Sequence, residues 1–268
     1  MRQVLIPDTE LKCSRFVFGT ANLFNVGTAA ARQRLLAAAD ANGFTHFDTA
    51  PYYGFGMAER DLAPLLKSNA NLTVTTKVGL YPPGGENQRA LSILLRKALG
   101  RVGSSLSLPE VNFEVNRARS ALDGSLRRLG RQKVDLYLLH EPELSLLNTE
   151  EWLSWLHREL DSGRVGNFGI APSITKLQPF LSSASLLARV VQIPDSLDGR
   201  EADALTKRSR PVQITYGYVS AARAQSDRRP VATLLRAALD RNRTGCVIVS
   251  TSHIERLKQY ASVVDGML

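Results

Sequence analysis

The stretch VDLYLLH, residues 134–140, is a short run of apolar and β-favouring residues that ends in a histidine. Side chains in a strand alternate between its two faces, so Leu136, Leu138 and His140 share one face. That face is uncharged until its last member. The pattern predicts a buried strand that carries a polar side chain at its carboxyl end.

Two earlier runs have the same design. FTHFD (44–48) ends in Asp48, and LTVTTK (72–77) ends in Lys77. In a barrel of parallel strands, active-site groups lie at the carboxyl ends of the strands and in the loops that follow. We therefore expect the acid, the lysine and His140 to converge at one mouth.

Eight such runs alternate with helical patterns along the chain. The runs span 15–19, 44–48, 72–77, 134–140, 164–170, 189–193, 212–216 and 246–250. The helical patterns include 29–42, 57–67, 113–130, 149–162, 229–242 and 252–264. Eight alternations in about 250 residues favour a (β/α)8 TIM barrel over a doubly wound sheet. Tyr216 and Ser250 also fall at predicted strand ends.

Length and composition are those of a soluble protein with one domain, 1–268. No Pro/Gly/Ser-rich linker interrupts the chain, and its apolar runs are far shorter than the roughly 18 residues that span a bilayer. The first residues do not resemble a secretory signal, so we expect a cytoplasmic protein. Cys13 and Cys246 have no zinc or redox-pair spacing, so neither a disulfide nor a metal site is expected.

The formal net charge of +9 raises the question of nucleic-acid binding. In the basic stretch 117–133, however, apolar residues recur every three to four positions. This places the arginines on the solvated face of an amphipathic helix, and such a face is favoured over a nucleic-acid surface. We expect no nucleic-acid partner and no membrane partner.

A tyrosine follows one polar strand end in FTHFDTAPYYGFG (44–56). The turn after Asp48 can carry Tyr53 back over the mouth, where the ammonium of Lys77 lowers the pKa of a phenol from about 10. Asp48 can pair with the lysine, and His140 can donate a hydrogen bond to a substrate oxygen. Together these groups predict proton transfer at a carbonyl or alcohol, which needs a hydride partner for redox chemistry.

With these residues in place, the chain resembles the aldo-keto reductases. The matching motifs run nearly end to end: FDTAPYYG (47–54), TVTTKVG (73–79), VDLYLLH (134–140), GRVGNFGI (163–170), VVQ (190–192), ITYGY (214–218) and VIVSTSHIERLKQY (247–260). The resemblance implies a (β/α)8 reductase that binds a nicotinamide dinucleotide in extended form and needs no metal.

The resemblance also implies roles for the matching residues. Tyr53 would be the general acid in reduction and the general base in oxidation, with Lys77 tuning it and Asp48 supporting the lysine. His140 would orient the carbonyl. The cofactor would contact Gly19, Thr20, Ala21, Asp48, Gln192 at the carboxamide, Tyr216 stacked on the nicotinamide, Gly217, Ser250, Thr251, Ser252, Arg256 and Gln259.

The chain departs from the family pattern at two cofactor positions. Where members have a Ser-Asn pair for the nicotinamide amide, it has Ala171-Pro172, and where many have a lysine for the adenosine phosphate, it has Ser250. Arg256 and the neighbouring hydroxyls nevertheless suit the 2′-phosphate of NADPH. We expect NADPH as the cofactor, with NADH as a usable second.

The substrate pocket is expected to be open. The sequence stops at Leu268, without the long C-terminal loop that often closes the pocket in this family. Residues 78–112, with the motif YPPGGENQ, would then form its largest wall.

Several residues have plainer alternative interpretations. Singly, Asp48, Tyr53 and Lys77 could be a turn former, a packed aromatic and a surface cation, but their order at strand ends favours catalysis. His46 favours a role in the core, and Tyr218 competes with Tyr216 as the stacking ring. Two other functions stay open: a cofactor-binding regulatory subunit with little turnover, and a barrel lyase or isomerase.

Overall fold

A computed structural model describes residues 1–86, 88 and 108–266. Its strands are β1 (Gln3–Leu5), β2 (Lys12–Ser14), β3 (Phe16–Gly19), β4 (His46–Asp48), β5 (Thr73–Val78), β6 (Leu80–Tyr81), β7 (Glu110–Val111), β8 (Leu136–His140), β9 (Phe168–Ala171), β10 (Val190–Pro194), β11 (Ile214–Tyr216) and β12 (Cys246–Val249). Its α-helices are α1 (Ala29–Ala41), α2 (Met57–Ser68), α3 (Val115–Leu129), α4 (Thr149–Asp161), α5 (Ile174–Ser182), α6 (Asp203–Thr206), α7 (Tyr218–Ala224), α8 (Val231–Arg241) and α9 (Ile254–Asp265). Part of the wall expected at 78–112, namely 87 and 89–107, lies outside the described residues.

Eight parallel strands close into a barrel in the order β3, β4, β5, β8, β9, β10, β11, β12 and back to β3. The predicted (β/α)8 TIM barrel is therefore confirmed, and each predicted run overlaps one barrel strand. The largest boundary difference is in the run 164–170, where the strand begins only at Phe168. Val165 makes just an isolated bridge to Val134.

Strand alternation sorts the core into two layers. Leu136 and Leu138 of β8 fill the barrel interior, whereas Tyr137 and Leu139 of the same strand join the larger cluster that packs against the helices. Strand alternation over 44–48 would place Phe44 on the face of His46 and Asp48, but Phe44 lies before β4 and packs edge-on against Phe18 with ring centroids 5.9 Å apart. It therefore belongs to the outer layer rather than to the face of His46 and Asp48.

An N-terminal hairpin closes the floor of the barrel. Strands β1 and β2 pair antiparallel, and Ile6, Leu11 and Cys13 pack with Leu136 and Leu138 in the interior cluster. The amino ends of the parallel strands are thereby covered, which leaves their carboxyl ends as the accessible mouth. Both cysteines are buried and free.

Helix α3 has the apolar face predicted for the basic stretch. Ala118, Leu122 and Leu129 are buried. Arg128 differs from the prediction, since it is also buried and its Nε lies 2.7 Å from Glu59 Oε2. Among the described residues, none of the helices has both the length and the apolar character that are needed to cross a bilayer.

Candidate active site

Side chains from neighbouring strand ends meet at the mouth of the barrel. Lys77 Nζ lies 2.7 and 2.8 Å from the two carboxylate oxygens of Asp48. It also donates to the carbonyl oxygen of Thr49 at 3.0 Å and contacts the hydroxyl oxygen of Tyr53 at 3.2 Å. The lysine is only 1% exposed, so its donors are used within the site rather than in water. The structure therefore brings Asp48, Tyr53 and Lys77 together.

A tight turn explains why tyrosine is followed by glycine in PYYGFG. Gly54, Phe55 and Gly56 all have left-handed backbone, with φ of 57°, 57° and 81°. Glycine adopts this conformation without steric cost, and a Cβ at position 56 would lie 2.2 Å from the carbonyl oxygen of Glu86. The glycines let the chain double back and hold Tyr53 over the lysine.

The tyrosine is protonated at neutral pH. Burial raises its pKa above the ordinary value of a phenol, and Lys77 opposes that shift through its charge and hydrogen bond. The expected lowering of the pKa by the lysine is thus present but is outweighed by burial. Burial alone would lower the pKa of Lys77, yet Asp48 and Tyr53 raise it, so the ammonium form is favoured.

The carboxylate of Asp48 is shared between Lys77 and Gln192. Burial raises the pKa of Asp48, while the charge and hydrogen bond of Lys77 and a hydrogen bond from Gln192 oppose the increase. Both carboxylate oxygens of Asp48 contact the ammonium of Lys77, which is the geometry of a charged ion pair. Gln192 Oε1 is buried without a hydrogen-bond partner among the described residues. That oxygen is therefore a free acceptor beside Asp48.

His140 completes the group. Its ring lies edge-on to Tyr53 with centroids 5.8 Å apart, and burial followed by the charge of Lys77 lowers its pKa well below the usual value. The ring is therefore neutral at pH 7. Nδ1 is buried and has no partner within the described residues.

The second strand-borne histidine has a different environment. His46 is buried, with Nδ1 2.7 Å from Thr73 Oγ1 and Nε2 2.7 Å from Thr75 Oγ1. Both nitrogens are satisfied by the barrel interior, which is the core role expected for this residue.

Two adjoining clefts form a trough across the mouth. The first has a volume of about 250 Å³ and is lined by Gly19, Ala21, Asn22, Asp48, Tyr53, Lys77, His140, Ala171, Gln192, Tyr216, Gly217, Ser220, Ile248 and Ser250. The second, of about 280 Å³, shares Asn22, Gly217, Ser220, Ile248 and Ser250 with it. Arg223, Arg256 and Tyr260 lie on the wall of the second cleft. The trough thus leads from the residues around Lys77 to a basic region beside helix α9.

Most of the residues expected to bind the cofactor line this trough, but Thr20, Thr251, Ser252 and Gln259 do not. Thr20 instead donates its hydroxyl to the backbone oxygen of Asp48 at 2.9 Å, and Thr251 accepts the amide of His253 at 3.0 Å. These two side chains therefore stabilise, through hydrogen bonds, the loops that carry the lining residues.

The structure distinguishes the two candidate stacking rings. Tyr218 is buried, donates its hydroxyl to Asp195 Oδ2 at 2.6 Å and lines only the second cleft, whereas Tyr216 lines the first cleft beside Gln192. Sequence reasoning missed Asn22, Ser220, Arg223 and Tyr260. Tyr260 could have been found, because it lies four residues after Arg256 in the predicted helix and therefore on the same helical face.

The trough has the chemistry that a nicotinamide dinucleotide requires. Gln192 Oε1 is an unused buried acceptor, and Tyr216 presents an aromatic ring at the same end. Arginines at the other end suit phosphate groups. No group of three or more His, Cys, Asp or Glu side chains in the described ranges is arranged to hold a metal ion.

The structure is a closed parallel barrel with a buried Asp48–Lys77 pair, Tyr53 and a trough at its mouth. The chain belongs to the aldo/keto reductase family, whose pattern matches residues 15–197.

Among curated relatives, D-threo-aldose 1-dehydrogenase from Pseudomonas sp is 28% identical over 255 residues, covering 93% of this chain and 69% of the relative. The 6-dehydroglucose reductase of Agrobacterium fabrum is 27% identical, over 64% of this chain and 54% of that protein. L-galactose dehydrogenase from Arabidopsis thaliana is 27% identical, over 62% of this chain and 46% of that protein. The chain thus spans only about half the length of the last two.

Solved structures share the fold. A holo-form aldo-keto reductase from Bacillus halodurans superposes with a TM-score of 0.74 at 17% identity, covering 99% of this chain and 91% of that chain. The glycerol dehydrogenase of Gluconobacter oxydans gives a TM-score of 0.73 at 18% identity, covering 97% and 89%.

Proposed function

We propose that this protein is an NADPH-dependent oxidoreductase that reduces an aldehyde, ketone or sugar carbonyl, or oxidises the corresponding alcohol. The family and its named relatives support an oxidoreductase of carbonyl compounds. The observation that carries the finer proposal is the Tyr53 hydroxyl, 3.2 Å from the buried Lys77 ammonium and open to the cleft beside His140.

Proton transfer falls to Tyr53. Since its phenol is protonated at neutral pH, it can donate to the oxygen of a carbonyl that is being reduced. The Lys77 ammonium then stabilises the phenolate that remains, and Asp48 keeps the lysine charged in its desolvated position. In the reverse direction, the phenolate accepts the proton of the alcohol.

His140 orients the substrate oxygen. A neutral imidazole has one N–H, and Nδ1 is enclosed, so we assign the proton to Nε2. Donation from Nε2 fixes the carbonyl oxygen near the Tyr53 hydroxyl and stabilises the charge that develops on it.

The trough would hold the nicotinamide dinucleotide along the barrel mouth. When bound, the dinucleotide supplies or accepts the hydride. Gln192 Oε1 would accept from the carboxamide, and the ring of Tyr216 would pack against the nicotinamide. Arg256 would bind the 2′-phosphate, because it lines the second cleft and a guanidinium offers a bidentate fork.

Sugars are the first substrates to test. Three relatives are named for reactions of an aldose, of 6-dehydroglucose and of galactose. A panel of sugars, small aldehydes and aryl ketones, monitored by the absorbance of the reduced cofactor, would identify the class. Dinucleotide binding with no turnover of any member would favour a regulatory subunit, and turnover without dinucleotide would favour a lyase or isomerase.

Substitution of Tyr53 tests the proton donor. Tyr53→Phe should lower kcat by about two to four orders of magnitude, because the hydroxyl is lost while the ring is kept. The affinity for NADPH, measured by fluorescence titration, should stay nearly unchanged. Tyr52→Phe is the matched control and should keep wild-type turnover. Carbonyl reduction that survives in Tyr53→Phe would disprove the assignment.

Substitution of Arg256 tests the choice of cofactor. Arg256→Ala should weaken NADPH binding by about 1.5 to 3 kcal/mol, the range for a hydrogen bond to a charged group, and should barely affect NADH. Lys258→Ala removes an exposed positive charge from the same helix and should change neither affinity. Titration of both reduced cofactors decides the question, and equal losses for the two would show that Arg256 does not recognise the 2′-phosphate.

A further inference from the structure

A larger cleft lies at the opposite end of the barrel from the mouth. Its volume is about 630 Å³, compared with about 250 Å³ for the catalytic cleft. Phe168 begins β9, and Arg189 and Arg210 precede β10 and β11, so the cleft lies at the amino ends of these strands. The proposed reaction uses none of its residues.

The floor of this cleft is apolar. Phe168, Leu181, Ala184, Leu186 and Ala188 line it. Leu186 is 68% exposed, so its apolar surface is available to a ligand in the cleft.

The rim of the cleft is basic. Arg189, Arg208 and Arg210 line it together with a single carboxylate, that of Asp8. Arg208 donates to Gln178 Oε1 at 3.2 Å, and Arg210 donates to the backbone oxygen of Ala188.

The positive charge of the rim is not neutralised by ion pairs. Across the described residues, none of the three guanidinium groups forms an ion pair, and the side chain of Arg189 has no hydrogen-bond partner. Guanidinium groups in this state retain donors suited to an oxyanion.

We propose that this cleft binds an anionic amphiphile with a carboxylate head and an alkyl chain, of the size of a medium-chain fatty acid. The carboxylate would lie among the arginines, and the chain would cover the exposed apolar residues Ala184 and Leu186. A volume of about 630 Å³ is within the range of small-molecule sites. Charge complementarity selects an anion, and the apolar floor selects a ligand with a hydrocarbon chain over a free anion.

Calorimetric titration of the whole protein with decanoate tests the site. Decanoate should bind at one site, whereas acetate, inorganic phosphate and decyltrimethylammonium should not, because each lacks either the chain or the negative charge. Saturating NADPH should leave the decanoate affinity unchanged, since the trough lies at the other end of the barrel.

Paired variants separate the two parts of the site. Arg189→Ala should weaken decanoate binding by about tenfold, the loss expected for one charge-assisted hydrogen bond. Leu186→Gln should also weaken it, whereas the exposed controls Arg119→Ala and Leu5→Gln should bind like wild type. Folding of each variant is checked by its thermal unfolding curve.

Several outcomes would overturn the proposal. These are equal binding of decyltrimethylammonium, binding of acetate or phosphate as tight as that of decanoate, and displacement of decanoate by NADPH. Self-association in sedimentation that is lost in Leu186→Gln would assign the apolar floor to a second copy of the chain instead.

Discussion

Burial and the charge of Lys77 shift the pKa of Tyr53 in opposite directions, and only the effect of the lysine could be predicted from the sequence. The predicted strands were sufficient to place Asp48, Lys77 and His140 at strand ends, because strand periodicity determines which side chains share a face. Tyr53 was predicted from the turn that follows Asp48. The net direction of the phenol pKa was not predictable. It depends on how completely the site is buried, and burial exceeds the effect of the lysine.

The choice between Tyr216 and Tyr218 was also beyond sequence reasoning. Tyr216 ends the predicted strand and Tyr218 lies two residues later, so periodicity does not separate them. The structure separates them through Asp195, a residue distant in sequence that accepts the hydroxyl of Tyr218 at 2.6 Å. Tyr216 lines the first cleft with Tyr53 and Lys77, whereas Tyr218 lines only the second.

The neutral state of His140 leads to a prediction about pH. His140→Ala should lower kcat/KM by about two to three orders of magnitude, as expected when one donor to a developing oxyanion is removed. Because burial and Lys77 hold the pKa of His140 well below its usual value, its ionisation should not appear in the wild-type rate profile between about pH 5 and pH 8.

Rate profiles of the two proteins, with His157→Ala as a control on an outer helix, check this expectation. A wild-type profile with a limb near the usual histidine pKa that disappears in His140→Ala would contradict it, since His140 would then be charged in part of the range.

At the scale of elements, the turn between β4 and α2 determines where the tyrosine lies. Gly56 combines a φ of 81° with a neighbouring carbonyl, that of Glu86, 2.2 Å from where a Cβ would be. Gly130, which ends α3, also has left-handed backbone, with a φ of 63°, but its nearest neighbour would be 3.9 Å away. A comparison of substitutions at these two glycines therefore separates the cost of left-handed backbone from the cost of a steric clash.

Gly56→Ala should lower the free energy of unfolding by about 3 kcal/mol or more, because a backbone clash adds to the strain of the left-handed conformation. It should also lower turnover, since the turn that holds Tyr53 must move. Gly130→Ala should cost only about 1 kcal/mol and keep wild-type kcat. Denaturant unfolding and initial rates measure both effects, and equal destabilisation by the two substitutions would refute the argument.

Short elements were the ones that sequence reasoning missed. Strands β1 and β2 have three residues each, too few for alternation to stand out, and their place beneath the barrel depends on contacts with β8. Helices α5, α6 and α7 were also missed. α6 spans four residues and α7 seven, so neither offers enough turns for a 3.6-residue period to be recognised.

At the scale of the whole molecule, the barrel was predictable because its signal is repeated eight times. Each strand is weak evidence alone, but parallel strands must be joined by crossovers, and the alternation with helices supplies them. Closure itself brings β12 beside β3, pairing Val247 with Phe16. That contact joins the two ends of the chain, and no local pattern encodes it.

The interior of the closed barrel also makes the stability of the protein depend on pH. His46 is buried, and burial together with Lys77 lowers its pKa to about 3. In the unfolded chain, a histidine takes up its proton near pH 6.5. Between these values, the unfolded state binds a proton that the folded state does not, so the free energy of unfolding falls as the pH falls. The lowered pKa of His140 also makes the free energy of unfolding fall as the pH falls.

The contribution of His46 should be roughly 1.4 kcal/mol per pH unit below about pH 6, and it can be isolated with His46→Gln. At pH 8 the variant should be less stable than wild type, because the imidazole bonds to Thr73 and Thr75 are disturbed. As the pH falls from 6.5 to 5, wild type loses this histidine contribution and the variant does not, so the gap between them should narrow. Urea unfolding at several pH values measures the gap, and a gap that stays constant would mean that His46 takes up its proton equally in both states.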